Sequence, residues 1–138
     1  MSFDTLKNYL SGRLKGLGYS ESKSPFNFDD APDTEYDRAF ILTPLEGATD
    51  PDGSNLNILL YDNQTWQVSI AFSKSTHSDI VKRDDMYRAI EPIISDLDDP
   101  SNYQPTLELV QYESWKVEEL SNYFLLTIQF RVRDKYTY

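Results

Sequence analysis

The run NYFLLTIQFRVR, residues 122–133, places Phe124, Leu126, Ile128, Phe130 and Val132 on one side and Thr127, Gln129, Arg131 and Arg133 on the other. A period of two is the repeat of an extended strand with one apolar face, and no helix satisfies it. The segment WQVSIAF, 66–72, repeats the pattern with Trp66, Val68, Ile70 and Phe72 against Gln67, Ser69 and Ala71. Two such runs require a sheet, and the remaining β-rich segments supply partners. RAFILTPL (38–45) has the apolar density of a strand, with Pro44 marking its end or a sheet edge. LNILLY (56–61) reads as a further strand, joined to 66–72 through the polar link DNQT (62–65) as an antiparallel hairpin. LELVQYESWKV (107–117) is rich in β-branched and aromatic residues and pairs with 122–133 across a turn at EELS, 118–121.

Two segments break this period. Phe3, Leu6, Leu10, Leu14 and Leu17 recur at three- and four-residue steps, which predicts an amphipathic helix over 3–17. Ser2 is a candidate cap, Asp4 suits the positive end of the dipole, and Gly16 or Gly18 can stop the helix. Met86, Ile90, Ile93 and Leu97 line one face of a second helix, with Ser78 or Asp84 as its cap. Pro92 lies well inside it, and the missing N–H predicts a kink or break there. Between the first helix and the first strand, 20–36 reads as an irregular exposed connection pinned by Phe26 and Phe28. The order α-β-β-β-α-β-β predicts an α+β fold with a mainly antiparallel β-sheet and two α-helices packed on it. At 138 residues the chain is expected to form a single domain, 1–138.

Composition narrows the function classes. Cysteine is absent, which excludes disulfides and thiolate metal sites. No apolar run approaches the roughly 18 residues of a membrane helix, and MSFDTLKNYLSG lacks the features of a signal peptide, so cytoplasmic synthesis is expected. The formal net charge is -10, which repels nucleic acid and anionic lipid. The charge is uneven. Residues 21–52 hold nine acids (Glu21, Asp29, Asp30, Asp33, Glu35, Asp37, Glu46, Asp50, Asp52) against Lys23 and Arg38, whereas RVRDKYTY, 131–138, carries Arg131, Arg133 and Lys135 against Asp134. An acidic body and a basic end suit head-to-tail pairing between copies, and a solvated surface is the simpler alternative.

Candidate sites are few. Asp50, Asp52, Gly53, Ser54 and Asn55 resemble an oxygen-rich calcium loop, but glycine falls at the fourth position and the twelfth is Tyr61, so the stretch is expected to be a turn. Whether Asp50–Asn55 holds a cation stays open at this point. His77 is the one histidine, which leaves a hydrolytic triad or zinc site without its ligands. The doublets Asp29/Asp30, Asp84/Asp85, Asp98/Asp99 and Glu118/Glu119 point their side chains apart and read as caps, turns and wet faces. No phosphate-binding or zincin motif is present. No catalytic, cofactor-binding or metal-ligating residue is therefore assigned. Trp66 is expected in the core, and Arg131, Arg133, Lys135, Tyr136 and Tyr138 are the candidates for a subunit interface.

In layout the chain resembles the tail terminator, or tail completion, proteins of long-tailed bacteriophages. The resemblance rests on the N-terminal helix FDTLKNYLSGRLKGL, a three-strand run, the helix RDDMYRAIEPIISDL and the C-terminal pair LELVQYES and NYFLLTIQFRV. It implies a structural virion protein, made in the host cytoplasm and placed at the tail neck. It also implies a homohexameric ring that caps the tail tube protein and joins it to the head-tail connector protein. It implies no enzyme activity, no cofactor, no membrane contact and no sequence-specific nucleic acid binding. The alternative from another class is an acidic DNA-mimic inhibitor of a nucleic-acid enzyme, which the charge also suits. Loops 20–36 and 45–55 match no motif and carry no assigned role.

Overall fold

The computed structural model describes residues 3–23, 25–26, 36–48, 63–74, 79–104, 107–120 and 122–134. In chain order these form α1 (Phe3–Gly16), β1 (Ser20–Glu21), β2 (Ala39–Ala48), β3 (Asn63–Ser73), α2 (Asp79–Leu97), α3 (Pro100–Tyr103), β4 (Leu107–Glu119) and β5 (Tyr123–Asp134). The strands make one five-stranded sheet in the order β1-β2-β3-β5-β4. Only β1 and β2 run parallel; β2–β3, β3–β5 and β4–β5 are antiparallel. The fold is α+β with two main helices on a mostly antiparallel sheet, as the periodicity predicts.

The alternation carries through to the register. Trp66 pairs with Phe130, Val68 with Ile128, Ile70 with Leu126 and Phe72 with Phe124, so the apolar residues of β3 and β5 face one side together. All eight are buried. Both helices cover this side: Leu6, Leu10 and Leu14 of α1 and Met86, Ile90, Ile93 and Leu97 of α2 join the same cluster. Each fully buried side chain of this size contributes about 1.5–3 kcal/mol, so the shared layer is the main source of stability. Polar ties set the helix positions. Arg13 of α1 donates two hydrogen bonds of 2.7 Å to Asp96 of α2, and the Tyr9 hydroxyl donates to the Leu97 carbonyl at 2.8 Å.

Local chemistry explains the ends of α1. Gly18 has a φ of 99°, the left-handed region open to glycine. Its N–H donates to the Lys15 carbonyl and that of Tyr19 to the Leu14 carbonyl, which is a Schellman termination, so the stop is Gly18 and not Gly16. That turn has a consequence the sequence reading missed. It lays Ser20 and Glu21 beside Ala39 and Phe40 as a short parallel strand, where an irregular connection was expected. Ser11 of α1 then donates to the Glu21 carboxylate at 2.7 Å. Phe26 does pin its segment, packing on Tyr36 with ring centroids 5.0 Å apart; Phe28 and Ser2 lie outside the described residues.

Four further expectations are corrected. The strand at 38–45 runs on to Ala48, because a register shift between Pro44 and Glu46 moves Leu45 out of the ladder and pairing resumes. Asn63, Gln64 and Thr65, expected as turn, are the first residues of β3 and pair with both β2 and β5. Both flanks of β3 are thereby occupied along 63–70, so the hairpin expected between 56–61 and 66–72 does not form; 56–61 itself lies outside the described residues. The second helix begins at Asp79 and passes through Pro92 without a break. Proline there removes one N–H bond to the carbonyl four residues back, while Met86 and Ile90 before it and Ile93 and Leu97 after it are all buried. The side of α2 that is anchored outweighs the bond that is lost. The turn expected at 118–121 is tighter, since β4 reaches Glu119 and the Leu120 N–H donates to the Tyr123 carbonyl at 2.8 Å.

Candidate functional site

Among the described residues no helix packs on the other face of the sheet. Ile41 and Thr43 of β2, Gln67 and Ser69 of β3, Leu125, Thr127, Gln129, Arg131 and Arg133 of β5, and Gln111, Ser114 and Lys116 of β4 share this side by register. A small second cluster covers one end of it: Tyr36, Ala39, Ala71 and Tyr123 are buried together, with Phe26 packed against them. Beside that cluster lies an open hollow of about 520 Å³, lined by Phe26, Ile41, Leu125, Ser69, Thr43 and Lys23 among others. The hollow is apolar with a few hydroxyls, the common make-up of a recognition site.

Of the residues proposed for an interface, two fall on this face. Arg131 is half exposed and lies 3.7 Å from Glu113, the residue displaced by the register shift between Tyr112 and Ser114. An exposed pair at that distance contributes no more than about 1 kcal/mol and leaves most of the guanidinium open to a partner. Arg133 stands two residues on, opposite Asn63 and Leu109 in the register. Lys135, Tyr136 and Tyr138 lie outside the described residues, as do the Asp50–Asn55 stretch, His77 and the doublet Asp29/Asp30.

Several other carboxylates are held by local pairing. Asp84 lies 3.5 Å from Arg83 and Asp85 3.5 Å from Arg88. Asp99 caps α3, accepting from the Ser101 N–H at 2.9 Å and its hydroxyl at 2.8 Å, and those bonds hold its carboxyl below the usual range. Glu119 pairs with Lys74 at 3.0 Å, and the same ammonium sits 4.8 Å from the Phe124 ring centroid. Among the described residues no group of three or more His, Asp or Glu side chains is arranged to hold a metal ion.

Two features escaped the sequence reading. One is a nearly buried ion pair: Lys82, 6% exposed on α2, reaches Asp37 at 3.1 Å, and Asp37 also accepts the Ser73 N–H at 2.9 Å. The only sequence hint was a charge beside an apolar helix stripe. The other is an aromatic projection on the far side. Trp115 of β4 and Tyr87 of α2 meet edge to face at 6.0 Å, yet each is 45% exposed. Trp66, by contrast, is fully buried as expected, and its indole N–H donates to Gln64 at 2.6 Å. No helix among the described residues is long and apolar enough to cross a membrane.

The fold defines a class: an α+β protein with two main helices on one face of a mostly antiparallel sheet. Compared with known proteins, the chain matches no family model and no curated protein sequence.

Proposed function

We propose that this chain is a structural subunit that closes into a ring with its own copies. The ring caps the tail tube of a long-tailed bacteriophage and meets the head-tail connector, as the layout resemblance implies. The observation that carries the reading is the two-sidedness of the subunit. Away from the helices the sheet presents Arg131, Arg133 and Lys116 together with Glu118 among neutral amides and hydroxyls, while its other face is closed by α1 and α2. Unlike surfaces on one subunit favour a heterologous contact, which closes as a ring when the rotation allows. In this role the chain carries out no reaction and needs no cofactor.

The DNA-mimic alternative has weaker support. Mimicry requires rows of unneutralised carboxylates, whereas Asp84, Asp85, Asp96 and Glu119 each lie within 4 Å of an Arg or Lys of the same chain.

Native mass spectrometry across a range of concentrations, with negative-stain micrographs, tests the ring. A discrete closed oligomer with a central channel is expected. Replacing both Arg131 and Arg133 by Glu should move the mass toward monomer by light scattering. A wild-type chain that stays monomeric at every concentration would remove the reading.

A further inference from the structure

We infer that the contact between neighbouring copies is a knob entering a hole: the Tyr87–Trp115 projection of one copy seats in the open-face hollow of the next. This rests on the ring reading and specifies its interface.

The knob is an apolar stripe that the fold leaves uncovered. Ile80, 63% exposed, and Tyr87 lie seven residues apart on α2 and so share a helix face. Trp115 extends that stripe from β4, where its register partner Ile128 puts it on the helix side of the sheet. A fully buried aromatic covers about 150–250 Å², and here a little under half of each residue is left to a partner. Exposed Trp and Tyr are the residue types that dominate binding energy at protein interfaces.

The hole lies elsewhere on the same molecule. Ile41, Thr43, Ser69 and Leu125 belong to the opposite side of the sheet from Trp115, and β2 is separated from β4 by β3 and β5. Three strand spacings amount to about 14 Å, so the knob of a subunit cannot fill its own hole. Because knob and hollow lie on opposite faces of the sheet, one copy cannot offer both to the same neighbour, and the contact is heterologous. An isologous dimer would instead need a single self-complementary patch. Charge follows the same direction: Lys23 lines the hole, and Glu91, exposed one turn beyond Tyr87, flanks the knob beside the Arg83–Asp84 and Arg88–Asp85 pairs. The hole also shares its face with Arg131 and Arg133, so one surface of each subunit receives its neighbour.

The test uses two variants of the full chain. Trp115→Ala removes the knob and leaves the hole; Thr43→Trp fills the hole and leaves the knob. Each should weaken self-association roughly thirtyfold, the loss typical of a hot-spot aromatic, and collapse the oligomer to monomer in native mass spectrometry. Mixed in equal amounts, the two should form a one-to-one heterodimer and nothing larger, because only one productive pairing remains. Unchanged circular dichroism melts confirm that both variants fold. The knob-and-hole contact is overturned, with the ring intact, when either variant keeps the wild-type mass or the mixture stays monomeric. A monomeric wild type overturns the ring and the contact together.

Discussion

Removing the charge from Asp37 should destabilise the protein far more than removing it from its partner Lys82. The Lys82 ammonium is almost fully enclosed, while Asp37 retains 20% exposure of its side chain. Asp37 has two tasks, since it neutralises Lys82 and accepts the Ser73 N–H, and Ser73 is wholly buried. Asp37→Ala therefore strands a buried cation and a buried donor at once. Breaking a buried pair from one side costs about 3–5 kcal/mol. Asp37→Asn keeps an acceptor for Ser73 but leaves Lys82 uncompensated, and should fall in between. Lys82→Met deletes the enclosed charge, keeps the stem's packing, and leaves Asp37 bonded to Ser73 and in reach of water, so its cost should stay below about 1 kcal/mol. The assay is urea unfolding followed by tryptophan fluorescence. With an m value of about 1.5 kcal/mol/M, a loss of about 3 kcal/mol lowers the midpoint by about 2 M. The double variant Asp37→Ala/Lys82→Met should be less unstable than Asp37→Ala alone. Equal losses for Lys82→Met and Asp37→Ala, or additive losses in the double variant, would refute the reasoning.

Two other outcomes follow from particular residues. Gly18→Ala should lower stability by about 1 kcal/mol, read as a drop in Tm, because the left-handed backbone at φ 99° strains any Cβ. Space is not the cause there, for an added Cβ would meet Arg38 at an ordinary 3.6 Å. Burial pushes the hydroxyls of Tyr9 and Tyr19 above their usual range, so both stay protonated in the folded state when they would ionise in the unfolded chain. Stability should thus be insensitive to them at neutral pH and fall as pH rises beyond about 10, where the unfolded state begins to lose protons. Tyr9→Phe should flatten part of that alkaline loss in melts taken between neutral pH and pH 11, while costing about 1 kcal/mol at pH 7 through the lost bond to Leu97.

Much of the fold was legible because its signals are periodic and local. The alternation of Trp66 to Phe72 and Phe124 to Val132 requires strands, and the spacing of Leu6, Leu10 and Leu14 requires a helix, whatever they pack on. The candidate site was legible only in part. Arg131 and Arg133 stood out because they alternate with apolar residues in one strand. Trp115 did not, because strand patterning cannot distinguish an aromatic in a central strand from one at an edge. Its exposure arises from β4 being the last strand in the sheet, a fact of strand order.

Sequence alone determined which residues turn inward, since a side chain's direction in a strand or helix depends on its own position in the repeat. It also determined the acidic character of the chain and the absence of thiol chemistry. Tertiary structure decided the rest. β3 pairs with β5 across the 49 residues between Ser73 and Tyr123, where a local hairpin to 56–61 was the shorter choice. Pairing energy depends on which strands find a matching apolar face, and Phe124, Leu126, Ile128 and Phe130 match β3 residue for residue. The burial of Lys82, the helical passage through Pro92 and the separation of knob from hole have the same origin. Each depends on what lies across the space from a residue, which is set by packing between distant segments.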